Sequence, residues 1–227
     1  MTPTSRGPHR LLALAPVTAG TLLLTALAPM TATAGSTEYS APLTQAVEEL
    51  PVAAEDNAGY DRKKHFGSWK DEDGDCQNAR AEVLIEESST EVTFTNEKEC
   101  TVDGGTWTTT WDGVVHRKAS ETQIDHTVPL HEAWGSGAQE WEDTRRKAYA
   151  NDLGDERLLT AQTGALNTEK GSKGPEEWLP PKDQCTYVAD WTAMKVRWGL
   201  TVDEAEKAKM AEMAASCPET TITVTVV

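Results

Sequence analysis

Four cysteines, Cys76, Cys100, Cys185 and Cys217, constrain this chain most, because whichever way they pair they tie segments far apart in sequence. None stands in a C-x-x-C pair, and an even set at wide spacing in an exported chain reads as disulfides rather than as zinc ligands. Three connectivities are possible. The local one, Cys76 with Cys100 and Cys185 with Cys217, is favoured because each bond then closes a loop inside one expected subregion.

The N-terminus predicts the oxidising compartment that such bonds need. Arg6, His9 and Arg10 precede an apolar run from Leu11 to Ala28, followed by Thr31-Ala32-Thr33-Ala34-Gly35. This pattern is a secretory signal peptide over residues 1–34 with an A-x-A cleavage site after Ala34. The competing reading is a membrane anchor, but the run is short, contains Pro16, Thr18, Gly20 and Thr21, and no second apolar span follows. A secreted protein with no membrane attachment after cleavage is expected.

Cleavage removes two arginines and no acids, so the net charge moves from −16 to −18. Such a charge repels a polyanion at long range. It argues against holding nucleic acid by bulk electrostatics, and leaves room for a site where a bound cation and a few basic residues neutralise individual phosphates.

Residues 35–59 are expected to form a loosely attached N-terminal arm or linker, with one short helix from Leu43 to Leu50 stopped by Pro51. From Tyr60 to about Val115 the runs Glu91-Val92-Thr93-Phe94-Thr95 and Thr106-Trp107-Thr108-Thr109-Thr110-Trp111, broken by Gly104-Gly105 and Asp112-Gly113, read as strands and hairpins. The C-terminal half reads as helical. Ser136 with Gln139 and Thr201 with Glu204 form capping boxes, one helix is expected over 138–150, and another from about Asp183 to Trp198. In the latter Val188, Trp191, Met194 and Trp198 recur at helical spacing and are assigned to the core. Cys185 and Cys217 would then join an antiparallel helix pair, and Thr220 to Val227 alternates like an edge strand.

The densest chemistry lies in Gln123-Ile124-Asp125-His126-Thr127-Val128-Pro129-Leu130. An Asp-His pair ending an apolar strand sets a hard oxygen ligand beside an imidazole. Phosphodiester hydrolysis needs a base for water and a divalent cation for the phosphate and leaving oxygen. Further on, Leu158 to Ala161 reads as a short strand and Thr163 to Lys170 as a helix presenting Asn167 and Lys170 on one face.

The order D-H-x-x-P-L, L-L-x-A, N-x-x-K-G-x-K resembles the ββα-metal core of HNH nucleases. More specifically, the chain is similar to secreted bacterial proteins related to the C-terminal domain of GmrSD restriction endonucleases, from Tyr60-Asp61-Arg62 through Phe66-Gly67-Ser68-Trp69 to the final cysteine. The resemblance implies an α+β fold with a ββα-metal core, an N-terminal β-rich region and C-terminal disulfide-tied helices, the nuclease domain spanning 60–227. It implies a monomeric endonuclease acting on DNA in the first place and RNA in the second. His126 would be the general base, and Asp125 and Asn167 would hold one divalent ion, Mg²⁺ or alternatively Mn²⁺, that stabilises the leaving 3′ oxygen and yields a 5′ phosphate. Arg157 and Lys170 are candidates to hold the scissile phosphate, and equally to form surface salt bridges. The Asn that orients the base histidine has no match in the expected stretch, Asp155-Glu156-Arg157, and a backbone carbonyl is the alternative. Nothing in the sequence identifies an immunity or inhibitor protein.

Other signals carry less. Asp71, Asp73 and Asp75 alternate around Gly74 as in Ca²⁺ loops, but Cys76 and the glycine position break the EF-hand pattern although Glu82 stands at the twelfth place. A structural Ca²⁺ there, in a non-catalytic extracellular domain keeping the same fold, is the rival reading. His126 and His131 are five apart rather than four, which argues against a zinc protease, and His131-Glu132 is expected to open a helix beside the site. Basic clusters at Arg62-Lys63-Lys64, His116-Arg117-Lys118 and Arg145-Arg146-Lys147 would mark a polyanion track only if they converge on His126.

Overall fold

The computed structural model describes residues 37–227, so the expected leader and its cleavage site lie outside the described residues. The order is β1 (Thr37–Pro42), α1 (Leu43–Glu49), α2 (Arg62–His65), α3 (Ala79–Glu86), β2 (Thr93–Phe94), β3 (Val102–Thr108) and β4 (Val115–Lys118). Then come β5 (Thr122–His126), α4 (Leu130–Gly135), α5 (Asp143–Ala150), β6 (Leu159–Thr163), α6 (Gly164–Lys170), α7 (Gln184–Trp198), α8 (Glu204–Ala215) and β7 (Thr221–Val226). The result is a mixed α+β fold with three small antiparallel sheets, β1-β7, β2-β3-β4 and β5-β6. No helix among the described residues is long and apolar enough to cross a membrane.

The core forms where helical periodicity placed it. Val188, Trp191, Met194 and Trp198 are all buried on α7, which ends at Gly199 in the left-handed region (φ 65°). Burying each large apolar side chain contributes roughly 1.5–3 kcal/mol. Both disulfides take the local pairing: Cys76–Cys100 anchors the loop before α3, and Cys185–Cys217 ties α7 to the end of α8.

The N-terminal segment is not a loose arm. β1 pairs with β7 along its whole length, from Thr37 opposite Val226 to Pro42 opposite Thr221, and α1 buries Leu43, Ala46 and Val47. A two-stranded sheet alone is marginal in water, and this clasp is stable because β7 packs on α7 and α1 packs on α8.

Three local expectations shift for identifiable reasons. Gly104-Gly105 does not end a strand: it sits inside β3 at a register shift, and a Cβ on Gly105 would meet the Trp107 ring and the Ser88 hydroxyl under 3 Å away. The helix expected over 138–150 is instead a 3-10 turn (Ala138–Glu140) followed by α5, because the buried Arg146 guanidinium gathers the carbonyls of Ala138, Gln139 and Trp141. Thr201 is occupied with the Ser136 carbonyl through both its N–H and its hydroxyl, so Asp203 caps α8 by accepting from Glu206 N at 2.7 Å.

Behind α4 lies a polar knot. Lys195, fully buried, donates to Glu132 (2.5 Å), Glu206 (3.1 Å), the Ser136 hydroxyl (2.8 Å) and the Thr201 carbonyl (2.8 Å). Removing the ammonium strands two buried carboxylates. Lys195→Met is therefore expected to lower the unfolding free energy by about 3–5 kcal/mol, read from the denaturant midpoint at an unchanged m-value. A loss below 1 kcal/mol would mean the knot holds little.

Candidate functional site

β5 delivers Asp125 and His126 at its last two positions, opposite Thr160 and Leu159 of β6. α6 follows β6 directly and packs on both strands. Pro129 then starts α4, as expected for His131-Glu132. The motif therefore crosses from strand to helix within four residues, and both of its chemical side chains line one cleft of about 420 Å³.

Lys170, the last residue of α6, is fully buried and donates to Asp125 Oδ2 (2.6 Å) and to the His126 carbonyl (2.8 Å). Burial pushes the Asp125 carboxyl up and the Lys170 ammonium down, and their contact pulls both back towards an ion pair. Lys170 thus binds the motif itself rather than standing at the mouth of the cleft as a phosphate ligand.

His126 is held on three sides. Trp69 stacks on its ring (centroids 5.5 Å apart, planes 5° apart), and Tyr149 stacks at 6.1 Å and donates to the Val128 carbonyl. His126 Nε2 lies 3.1 Å from the Ala150 carbonyl. A carbonyl only accepts, so Nε2 carries the hydrogen and Nδ1 the lone pair. Burial lowers the imidazole to about 3, the Ala150 bond opposing and Arg62 and Lys170 adding to the fall, so the ring is neutral at ordinary pH.

Asn151 follows Ala150 and fixes the loop bearing that carbonyl. Its Oδ1 accepts from Lys70 N (2.8 Å) while its Nδ2 donates to the Lys147 carbonyl (3.0 Å). This residue and Trp69 were missed from sequence. The place expected for an orienting Asn, Asp155-Glu156-Arg157, lies just past it, and the usable signal is an Asn directly after an expected helix.

Asn167 lines the same cleft and donates through Nδ2 to Gln123 Oε1 (3.0 Å), which leaves its Oδ1 as the donor atom there. Asp125 has one oxygen on Lys170 and one without a side-chain donor among the described residues. A carboxylate oxygen and an amide oxygen on one cleft suit a hard divalent cation.

Arg157 is not brought to this cleft. It is bound bidentately by Asp155 (2.8 and 2.6 Å), donates to the Thr223 carbonyl, and lines an acidic groove of about 700 Å³ with Glu82, Glu86 and Asp152. Of the basic clusters, only Arg62 reaches the cleft. Arg145 lies over the Trp141 and Trp198 rings, Arg146 serves carbonyls, and His116 bonds Thr163. The carboxylates of Asp71, Asp73 and Asp75 converge within 4.8 Å, and each already accepts a backbone N–H of its own loop.

Beside Arg157, burial pushes the Asp190 carboxyl up to about 7, with Arg157 opposing and Asp155 and Glu156 adding to the rise. The folded protein then keeps a proton that the unfolded chain releases near its ordinary value of 3.8. The stability this contributes is complete below that value and is lost as pH rises through 7. Between about pH 5 and pH 8 the thermal midpoint of the wild type should therefore fall more steeply than that of Asp190→Asn, and parallel profiles would count against the shift.

The pattern of the family described as GmrSD restriction endonucleases, C-terminal domain, matches residues 61–213. A protein of Arthroderma benhamiae described as an uncharacterized secreted protein is 35% identical over 184 residues, covering 80% of this chain and 86% of that one. No solved structure matches the chain. The two disulfides and the secreted relative agree on an extracellular protein. The chain belongs to the family of GmrSD restriction endonuclease C-terminal domains, as a secreted, disulfide-bonded member.

Proposed function

We propose that the protein is a secreted, metal-dependent endonuclease that hydrolyses phosphodiester bonds, in DNA first and in RNA second, with β5, β6 and α6 as its ββα-metal core. The catalytic unit is taken as residues 60–227, and the segment before it as a brace. The observation that carries the reading is His126. Its Nε2–H is held by the Ala150 carbonyl and its Nδ1 keeps the lone pair, on the same cleft as Asp125 and Asn167.

In this reading Nδ1 takes the proton from the attacking water while Trp69 and Tyr149 hold the ring plane. Water oxygen bonds phosphorus, the bond to the 3′ oxygen breaks, and a 5′ phosphate results. A ring held near 3 is a weak base in the open cleft. The negative charge of an entering phosphate raises it, and a divalent cation on Asp125 and Asn167 would oppose that rise. Asp125 and Asn167 would hold Mg²⁺ or Mn²⁺, which would supply charge neutralisation at the phosphate and leaving oxygen. Lys170 keeps Asp125 in place through Oδ2 and so acts on the reaction through that carboxylate.

The test is plasmid nicking by the mature protein with Mg²⁺ or Mn²⁺. His126→Ala should reduce the rate by about 10²–10⁴-fold, the usual contribution of a general base. Intact plasmid with both ions, together with an identical result for His126→Ala, sinks the proposal.

A further inference from the structure

We propose that Arg62 is the residue that receives the substrate phosphate at this cleft, and that the nucleic-acid backbone approaches over α2 rather than across the opposite wall. The proposal rests on the nuclease reading above and supplies the cation that Arg157 and Lys170 do not.

Among the described residues Arg62 is the single lysine or arginine lining the cleft with Asp125, His126 and Asn167. It is exposed and enters no ion pair among the described residues. Two other cations are already committed, Lys170 to Asp125 and Arg157 to Asp155. In a chain with 37 acidic residues against 21 basic ones, an uncommitted guanidinium at this place is a specific arrangement. Its planar fork of donors matches two phosphate oxygens at once.

The backbone beneath Arg62 is fixed. Asp61 Oδ1 accepts from Lys64 N at 2.9 Å, and Phe66, which is buried, packs on Trp134 and Tyr149. Tyr149 is also the ring that stacks on His126, so one aromatic contact chain sets the spacing between the arginine and the imidazole. Tyr60, immediately before this turn, meets His131 edge-on at 4.9 Å across the cleft. The guanidinium is close enough to bear on the charges of both Asp125 and His126.

Charge also gives the cleft a direction. Lys63 and Lys64 extend the exposed basic stretch on the α2 side. Past His131 and Ser172 the surface opens instead into a hollow lined by Glu176, Glu177 and Asp203, beside Glu132, which Lys195 already neutralises. A polyanion crossing that wall meets like charge, so its phosphates lie towards Arg62.

The experiment measures binding of a labelled DNA duplex by fluorescence anisotropy against salt, in the His126→Ala background with Mg²⁺, so that the duplex stays intact. Arg62→Ala should weaken binding and reduce the slope of log K against log salt by about 0.9, the loss of one phosphate contact. Arg62→Lys should restore the slope while recovering only part of the affinity. Lys98→Ala, which removes an exposed charge that does not line the cleft, should leave the slope alone. In the cleavage-competent protein Arg62→Ala should lower kcat/KM by about 10–100-fold, as for a hydrogen bond to a charged group, at an unchanged thermal midpoint. An unchanged slope in Arg62→Ala, an equal loss in Lys98→Ala, or no duplex binding at the lowest salt overturns the proposal. A wild type that binds with the Arg62-dependent slope but cleaves nothing would instead overturn the nuclease reading and leave the phosphate site standing.

Discussion

The buried ammonium of Lys170 is the interaction on which the site depends. It reaches from the last residue of α6 to the end of β5 and holds Asp125 and the His126 carbonyl together. Without it, Asp125 would be a carboxylate removed from water with no compensating charge, a state that proteins avoid by protonation or rearrangement. The same contact fixes where α6 ends relative to β5, and with it the place of Asn167 three residues earlier on that helix. The ion pair thus positions the carboxylate of the cleft and leaves one of its oxygens without a side-chain donor among the described residues.

His126 is fixed by a different kind of force. Two aromatic faces and one carbonyl determine its plane and its tautomer, and none of the three is charged. The environment that orients the ring also depresses its basicity.

Legibility from sequence followed the range of the forces involved. The Asp125-His126 pair, the α7 core stripe and the placement of Asn167 on a helix after a short strand rest on spacings of a few residues, and those readings stand in the fold. Pairing of β1 with β7 spans almost the whole described chain, and no local pattern announces it. The roles of the cations were legible only as types. Lysine at 170 and arginine at 157 have the chemistry to bind phosphate, but their use is settled by which carboxylate stands within 3 Å, and that depends on tertiary packing. Asn151 escaped for the same reason, since its amide acts on backbone groups brought from residues 68–70.

Two buried lysines frame the motif from both ends. Lys170 holds the strand end at Asp125 and His126, and Lys195 holds α4 through Glu132, six residues after His126. Between them the Thr127 N–H is bound by the Leu158 carbonyl and the Val128 carbonyl by the Tyr149 hydroxyl. Asp125, His126, Thr127, Val128 and Glu132 are thereby tied to other parts of the chain, which braces the strand-to-helix crossing. Preorganisation of this kind lets a cleft present its groups without ordering them anew for each substrate. The carboxylates of Glu55, Glu132 and Glu206 lie within 4.8 Å of one another, close enough to hold a metal ion, but the Lys195 ammonium already bridges two of them. Their chemistry is spent on keeping α4, and hence the mouth of the cleft, in place.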